Sequence, residues 1–509
     1  MIVKIHSFGI IGIEAYPVEI EVDITSGMPK FTLVGLADTV IKESKERIKS
    51  AVKNSGFHWP GDRITINLTP SGIKKEGTGF DTAIALGILA ASQQINGEKL
   101  KEYCVLGELS LDGSLKPVYG ILPISLMIAQ QQIKNLIVPF LNAKEAAMVQ
   151  STNVFPLKNL AQTVEFVHNP GLLPPFAQKP EGLFKKQRSY PVDFSEVKGQ
   201  LSAKRAIEVA VAGRHNLLLI GPPGSGKTML AKRIPTIMPD MTLSEALETT
   251  KIHSSAGTTA IKEGIISTRP FRAPHHTISY AAMAGGHAIP KPGEISLAHS
   301  GVLFMDELPE FSRECLETLR QPLEDGYIRI SRIQKSFTFP ASFMLVCAMN
   351  PCPCGGYGQA RSNCRCSTTQ VQKYRSKISG PLLDRIDIHI EVPAARYQEL
   401  SSNLPAETSA QIKERINNGL SIQRERFKNG EILHNSQMSH KQIRKFCILG
   451  AEETDLLKMA MNELNLSARA YDKILKVSRT IADLTGSENI TTENLSEAIQ
   501  YRSLDRNFF

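Results

Sequence analysis

The sequence predicts an α/β protein in three parts: an amino-terminal α/β domain, a central α/β core on a parallel sheet, and a helical carboxyl-terminal domain. Three observations carry that expectation. The run Leu217-Leu218-Leu219-Ile220 leads into Gly221-Pro222-Pro223-Gly224-Ser225-Gly226-Lys227-Thr228 and then into helix-compatible residues through Ile234. Strand, glycine-rich turn and helix in that order make a phosphate cradle. Upstream, strand-like runs (Ile2 to Ile5, Val18 to Ile24, Ile64 to Leu68) alternate with helix-like ones (Thr39 to Asn54, Asp81 to Ser92). Beyond residue 393 the period is helical over Ala410 to Phe427, His440 to Phe446, Glu452 to Leu464 and Ala468 to Leu484.

The boundaries follow from composition. Residues 1–168 form the amino-terminal domain, and 169–190 a linker marked by Pro170, Pro174, Pro175, Pro180 and the Lys185-Lys186 pair. The core spans 191–395, closing on the alternating run Ile386 to Val392, which reads as a half-buried strand; residues 396–509 are the helical domain. At roughly 100–200 residues per domain, 509 residues leave room for about three. An apolar content of 42% with 21% charged residues is that of an ordinary globular protein. No stretch approaches the ~20 uninterrupted apolar residues of a membrane helix. The start Met-Ile-Val-Lys-Ile-His lacks a secretory pattern. A cytoplasmic protein without a membrane partner is therefore expected.

The net charge of +9, from 59 basic and 50 acidic residues, is mild for this length. It fits a solvated surface or a basic track for a polyanion. Eight cysteines in such a chain argue against a disulfide framework. Cys104, Cys315, Cys347 and Cys447 are scattered and expected to be buried fillers.

The nucleotide site can be assembled from three strand ends. Glycines at 221, 224 and 226 let backbone N–H groups turn toward phosphate oxygens, Lys227 supplies a point charge, and the Thr228 hydroxyl suits Mg²⁺. ATP and Mg²⁺ are the cofactors this implies. The run Gly301-Val302-Leu303-Phe304-Met305-Asp306-Glu307 ends in two carboxylates: Asp306 to hold Mg²⁺, Glu307 to polarise water. A third strand, Phe343 to Met349, ends at Asn350, whose amide can orient water against the γ-phosphate.

Cys352, Cys354, Cys364 and Cys366 form a C-x-C, nine-residue, C-x-C array. Four thiolates suit a tetrahedral structural Zn²⁺, with a redox pair or an iron–sulfur cluster as the other readings.

Together these motifs resemble the Mg-chelatase-like AAA+ ATPases of the YifB/ComM type, in the helix-2-insert clade that includes magnesium chelatase and the MCM helicases. The stretches most specific to it are Arg269-Pro270-Phe271-Arg272-Ala273-Pro274-His275-His276-Thr277, Gly380-Pro381-Leu382-Leu383-Asp384-Arg385-Ile386-Asp387 and Leu466-Ser467-Ala468-Arg469-Ala470-Tyr471-Asp472. The resemblance implies that Arg385 is an arginine finger reaching a neighbouring subunit's ATP, and that Arg469 is the sensor-2 arginine, with Arg479 a weaker candidate. A homo-oligomeric, hexameric ring follows from an arginine acting in trans.

It also implies two pore loops. One is the Gly/Pro-rich insert Ala284 to Gly293, carrying Lys291; the other is a hairpin of Tyr327 to Ile333 and Ser336 to Phe339, carrying Arg329, Arg332 and Lys335. In MCM-type motors such loops grip the DNA backbone without reading sequence. Plain solubilising charge is the alternative. The paired His275 and His276, flanked by Arg269 and Arg272, suit phosphate binding or a subunit contact.

The amino-terminal segments Thr69 to Asp81 and Leu106 to Pro117 resemble the Lon-protease-like (ribosomal S5 domain 2-like) domain. Gly79 stands where that family has its nucleophilic serine and Leu122 where it has its lysine, so peptidase chemistry is not expected. Ser71 and Lys74 lie outside the motif. The implied function is a DNA helicase or branch-migration translocase in recombination or natural transformation. The alternative is an ATP-driven remodeller of a protein partner, like the magnesium chelatase motor subunit.

Overall fold

A computed structural model describes residues 2–131, 133–178, 189–257, 264–286, 290–331, 336–358, 364–394, 406–428, 430, 432–464 and 466–504. They divide into two compact units. One contains Met1–Arg188, Thr242–Ser267 and Gly286–Pro292; the other contains Ser189–Met241, Thr268–Gly285 and Gly293–Phe509.

The first unit is built on a seven-stranded sheet of β1 (Val3–Ile11), β2 (Glu14–Thr25), β3 (Lys30–Val34), β4 (Arg63–Thr69), β5 (Tyr103–Val105), β6 (Asn135–Pro139) and β7 (Asn153–Leu157), in the order β3-β4-β2-β1-β5-β6-β7. The strands β1 and β2 form an antiparallel hairpin from Val3↔Val22 to Ile11↔Glu14. The helix Thr39–Asn54 starts where expected because the Asp38 carboxylate accepts the Ile41 N–H at 2.9 Å. Its buried positions Ile41, Ser44, Ile48, Ala51 and Val52 recur at helical spacing and form one face.

The helix Leu243–Ala256 follows the nucleotide loop in sequence yet packs in this unit, against the helix Ile121–Ile128. The Gly120 N–H donates to the Ser254 carbonyl at 3.1 Å. The buried Glu145 carboxylate accepts the Leu122 N–H at 3.0 Å and the Ser254 hydroxyl. Burial raises the Glu145 pKa, and these donors offset only part of that. Leu122 is fully buried, while Lys74 is exposed and pairs with Glu76 at 3.3 Å.

The second unit holds a five-stranded parallel sheet of β8 (Leu217–Ile220), β9 (Phe271–Arg272), β10 (Val302–Met305), β13 (Met344–Met349) and β14 (Ile388–Glu391), with a hairpin of β11 (Tyr327–Ser331) and β12 (Ser336–Pro340) inserted between β10 and β13. The order is β9-β10-β13-β8-β14, all neighbours parallel. The first strand in sequence thus lies between the fourth and fifth, and the direction of chain progression reverses there. A ligand crevice forms at the carboxyl ends of the strands at such a switch point. Helices cover the sheet, and β8, β10 and β13 are buried throughout, which is why each reads as an unbroken apolar run.

The helical region comprises Ser409–Arg426, His440–Phe446, Ala451–Glu463, Ala468–Thr485 and Thr492–Gln500; the first four fall within about a residue of the periodic segments, and the last lies beyond them. Ile412, Ile416, Ile474 and Ile481 share one core with Leu217, Val346 and Ile388 of the sheet. Among the described residues, no helix is long and apolar enough to cross a membrane.

Two expectations need adjustment. The run from Ile386 to Val392 is not half-buried: the strand is confined to Ile388–Glu391, and its polar positions Asp387 and His389 are 8% and 2% exposed. Lys473, His215 and the Asn216 N–H face the Asp387 carboxylate, and the Tyr501 carbonyl accepts the His389 N–H at 2.9 Å. The hairpin pairs from Tyr327↔Pro340 to Ser331↔Ser336, but its turn, with Arg332 and Lys335, lies outside the described residues.

Candidate nucleotide site

The carboxyl ends of β8, β10 and β13 meet in a cleft of about 370 Å³. Positive φ at Gly224 (76°) and Gly226 (90°) turns the loop back on itself before the helix Lys227–Ile237 begins. Ser225 is buried under that turn, Pro222 and Pro223 precede it, and the Gly221 N–H donates to the Met349 carbonyl at 3.1 Å.

Lys227 Nζ donates to the Gly221 and Pro222 carbonyls at 2.7 and 2.8 Å and to Asn350 Oδ1 at 3.3 Å. Burial lowers the Lys227 pKa, opposed by the charges of Asp306 and Glu307. The Thr228 hydroxyl donates to Asp306 Oδ2 at 2.7 Å. The two oxygens stand side by side, a hard donor set of the kind Mg²⁺ takes. The other Asp306 oxygen accepts the Glu307 N–H at 3.0 Å.

Glu307 has φ 54°, a left-handed conformation that a non-glycine residue holds at some cost in strain. Its side chain is 55% exposed and lies 3.2 Å from His276 Nδ1. The structure therefore brings Lys227, Thr228, Asp306, Glu307 and Asn350 into one cleft, and adds His276 to it. No local pattern could have paired His276 with a carboxylate 31 positions away. Its neighbour His275 lies 4.1 Å away between ring centroids, the two rings tilted by 34°. The flanking arginines are otherwise engaged: Arg269 donates to the Pro239 and Ser300 carbonyls at 2.6 and 2.7 Å, and Arg272 grips Glu294 through two bonds of 2.7 and 2.6 Å.

Arg385 and Arg469 are not in this cleft. The Arg385 carbonyl accepts from Asn216 Nδ2 at 3.0 Å, and Asn216 immediately precedes β8. Arg385 thus stands at the amino ends of the strands, whereas the phosphate loop leaves their carboxyl ends. Four residues of strand, at about 3.3 Å each, separate the two levels by about 13 Å. Arg385 lines a different cavity of about 530 Å³ together with Arg214, Arg469 and Lys473. Its guanidinium pairs with Glu324, but its buried Nε has no acceptor among the described residues. Arg469 is 64% exposed, 3.8 Å from Asp384. Arg479 is buried and donates to Asp483 and to the Ser487 and Glu488 carbonyls, so it is held within the helical region.

The four clustered cysteines converge. Their sulfurs all lie within 4.8 Å of one another, with pairs at 3.4, 3.5 and 3.8 Å. A tetrahedral zinc with bonds of ~2.3 Å has sulfur–sulfur edges of roughly 3.8 Å, so the arrangement fits that ion. Hydrogen bonding, first from Gly356, lowers the Cys354 thiol pKa to about 6, whereas Cys364 and Cys366, crowded by the same neighbouring thiols, are shifted upward. The Tyr357 N–H donates to Cys352 Sγ at 3.3 Å. The knuckle touches the phosphate loop: a Cβ at Gly355 would sit 2.4 Å from Pro223 Cδ. The remaining cysteines, Cys104, Cys315, Cys347 and Cys447, are buried as expected.

Of the basic residues expected on the two loops, Arg329 is exposed on β11, its guanidinium 5.8 Å from the Tyr327 ring. Lys291 is exposed at the start of the short strand Lys291–Pro292.

Three family models match consecutive parts of the chain: one described as subunit ChlI of Mg-chelatase over residues 20–142, one as magnesium chelatase, subunit ChlI, over 193–400, and one as the C-terminal part of the same subunit over 406–502. The chain is 44% identical over 504 residues to the competence protein ComM of Haemophilus influenzae, covering 99% of this chain and 97% of that one. It is 42% identical over 506 residues to the uncharacterized protein YifB of Escherichia coli, with the same coverage of 99% and 97%. It is 37% identical over 504 residues to the uncharacterized protein Rv2897c of Mycobacterium tuberculosis, covering 98% of each.

Proposed function

This chain belongs to the Mg-chelatase-like YifB/ComM family of AAA+ ATPases, and we propose that it is a ring-forming, ATP-hydrolysing motor that translocates on DNA in the cytoplasm. The observation that carries the ring is the division of charge along the sheet. The phosphate loop, Asp306, Glu307 and Asn350 occupy the carboxyl ends of the strands, while Arg385 stands about 13 Å away at the amino ends. An arginine so placed serves a nucleotide on another subunit, and a closed ring of six copies gives every site such a donor.

Within this reading each residue of the cleft has one task. The loop from Gly221 to Ser225 wraps the phosphates with backbone N–H groups, and Lys227, released from its two carbonyls, turns its charge on the β- and γ-phosphates. Thr228 and Asp306 would hold Mg²⁺, which would supply charge neutralisation between the phosphates. Glu307 accepts a proton from the attacking water once it leaves His276, and Asn350 orients that water. Arg385 and Arg469 of the adjoining subunit stabilise charge on the transferring phosphoryl group. Cys352, Cys354, Cys364 and Cys366 would hold a structural zinc, and the ion would stiffen the loop that packs on Pro223.

Support for DNA as the track comes from the basic hairpin bearing Arg329, Arg332 and Lys335, from Lys291 in the insert, and from the name of the Haemophilus relative, a competence protein. Backbone contacts of this kind release counterions, so affinity falls steeply with salt. The test is the ATPase rate with and without single-stranded, duplex and branched DNA at two salt concentrations. The proposal expects salt-sensitive stimulation. DNA-independent turnover without salt-sensitive binding would instead favour a remodeller of a protein partner.

A further inference from the structure

We propose that Lys473 and Asp387 form a buried positioning pair that locks Arg385 and Arg469 into one rigid group, so that both guanidiniums enter a neighbouring subunit's nucleotide site together. The proposal rests on the shared-site reading above and assigns residues that reading leaves without a role.

Lys473 lies four positions after Arg469 on the helix Ala468–Thr485, one turn along the same face. Asp387 lies two positions after Arg385. Lys473 Nζ donates to Asp387 Oδ1, and the two side chains are only 17% and 11% exposed.

Asp387 is also the hinge of a backbone network. Its second oxygen accepts the Asn216 N–H at 2.9 Å. Asn216 in turn donates through its side-chain amide to the Arg385 carbonyl at 3.0 Å and accepts the Leu345 N–H at 2.9 Å. The buried His215 ring stands 3.7 Å from the same carboxylate and is anchored at 2.8 Å on Thr480, again on the helix that carries Arg469. One carboxylate therefore fixes the segment of one arginine to the sheet and, through Lys473, fixes the helix of the other arginine to both. The direct tie between Arg469 and Asp384 is longer, at 3.8 Å.

Energetics separate this role from simple stabilisation. Removing two charges from water costs about as much as their attraction returns, and an apolar pair of equal volume is often as stable or more so. What such a pair supplies beyond an apolar one is direction: a hydrogen-bonded geometry with one solution.

The experiment compares full-length Lys473→Met, Lys473→Arg, Arg385→Ala, the double variant Lys473→Met/Arg385→Ala and the apolar pair Lys473→Met/Asp387→Leu. Each is measured for kcat and KM for ATP, for affinity toward a fluorescent ATP analogue, and for melting temperature. Lys473→Met is expected to lower kcat roughly 10- to 100-fold through misplacement of the arginines, while affinity for the analogue stays within about twofold. Lys473→Arg restores most of the rate. The double variant with Arg385→Ala is no slower than Arg385→Ala alone, because both changes disable one unit.

If Lys473→Met is unfolded, the apolar pair decides, since it leaves no lone buried charge: a folded protein with low kcat supports the positioning role, and wild-type kcat overturns it. A near-normal kcat in Lys473→Met beside a steep loss in Arg385→Ala overturns the positioning role and leaves the shared site standing. An undiminished kcat in Arg385→Ala overturns the shared site itself.

Discussion

The two ends of the motor sheet hold their charges in different ways. At the carboxyl ends, Lys227, Thr228, Asp306 and Asn350 satisfy one another within 2.7–3.3 Å, all contributed by residues of one cleft. At the amino ends, Arg385, Arg469 and Lys473 are held by the acids Glu324, Asp384 and Asp387, and one buried guanidinium nitrogen of Arg385 has no acceptor among the described residues. The first arrangement has the parts of a polyphosphate receptor. The second is a cluster of cations outside that cleft, which on the reading proposed above acts on a nucleotide held by another copy of the chain.

Removal of the Arg385 charge should have the largest effect. Arg385→Ala should lower kcat by ~10³-fold or more while leaving ATP affinity almost unchanged, as read by single-turnover hydrolysis and analogue binding. A matching loss of affinity would mean that Arg385 serves its own cleft. At the other end, Glu307→Gln should reduce hydrolysis by about 10²- to 10⁴-fold and trap bound ATP, visible as nucleotide that survives rapid filtration.

How far this could be read from the chain alone differs between the same two ends. The carboxyl-end cleft was legible because each part is local: an apolar strand followed at once by its functional residue, at 221–228, 306–307 and 350. The helix Thr39–Asn54 was legible to the residue because its cap Asp38 and its apolar face are both local. The amino-end group was visible only by resemblance, since a salt bridge between Asp387 and Lys473 spans 86 positions and leaves no periodic trace. Burial of Asp387 and His389 defeated the alternation rule for the same reason: the partners that make burial tolerable come from elsewhere. The helix Leu243–Ala256 shows the limit for the fold, because nothing in its sequence says that it packs beside Ile121–Ile128.

Smaller effects sharpen the comparison. Stripping metal from the cysteine knuckle with a chelator, or introducing Cys352→Ser, should weaken nucleotide binding several-fold through the loop that rests on Pro223, while leaving the arginine face able to serve a partner's site. Metal analysis should return about one zinc per chain, as a single four-cysteine site requires. Lys335→Ala should reduce the slope of log affinity for DNA against log salt by about one without altering basal ATPase.

If one active site draws on two chains, mixed assembly exposes it. Lys227→Ala subunits keep a sound Arg385 but cannot hold phosphate; Arg385→Ala subunits keep a sound cleft but export no charge. Each alone should be inactive. Mixed and reassembled, they should recover ATPase activity, because a sound cleft then meets a sound arginine at some interfaces. Mixtures that stay as inactive as either parent, with co-assembly verified, would rule out a site shared between chains.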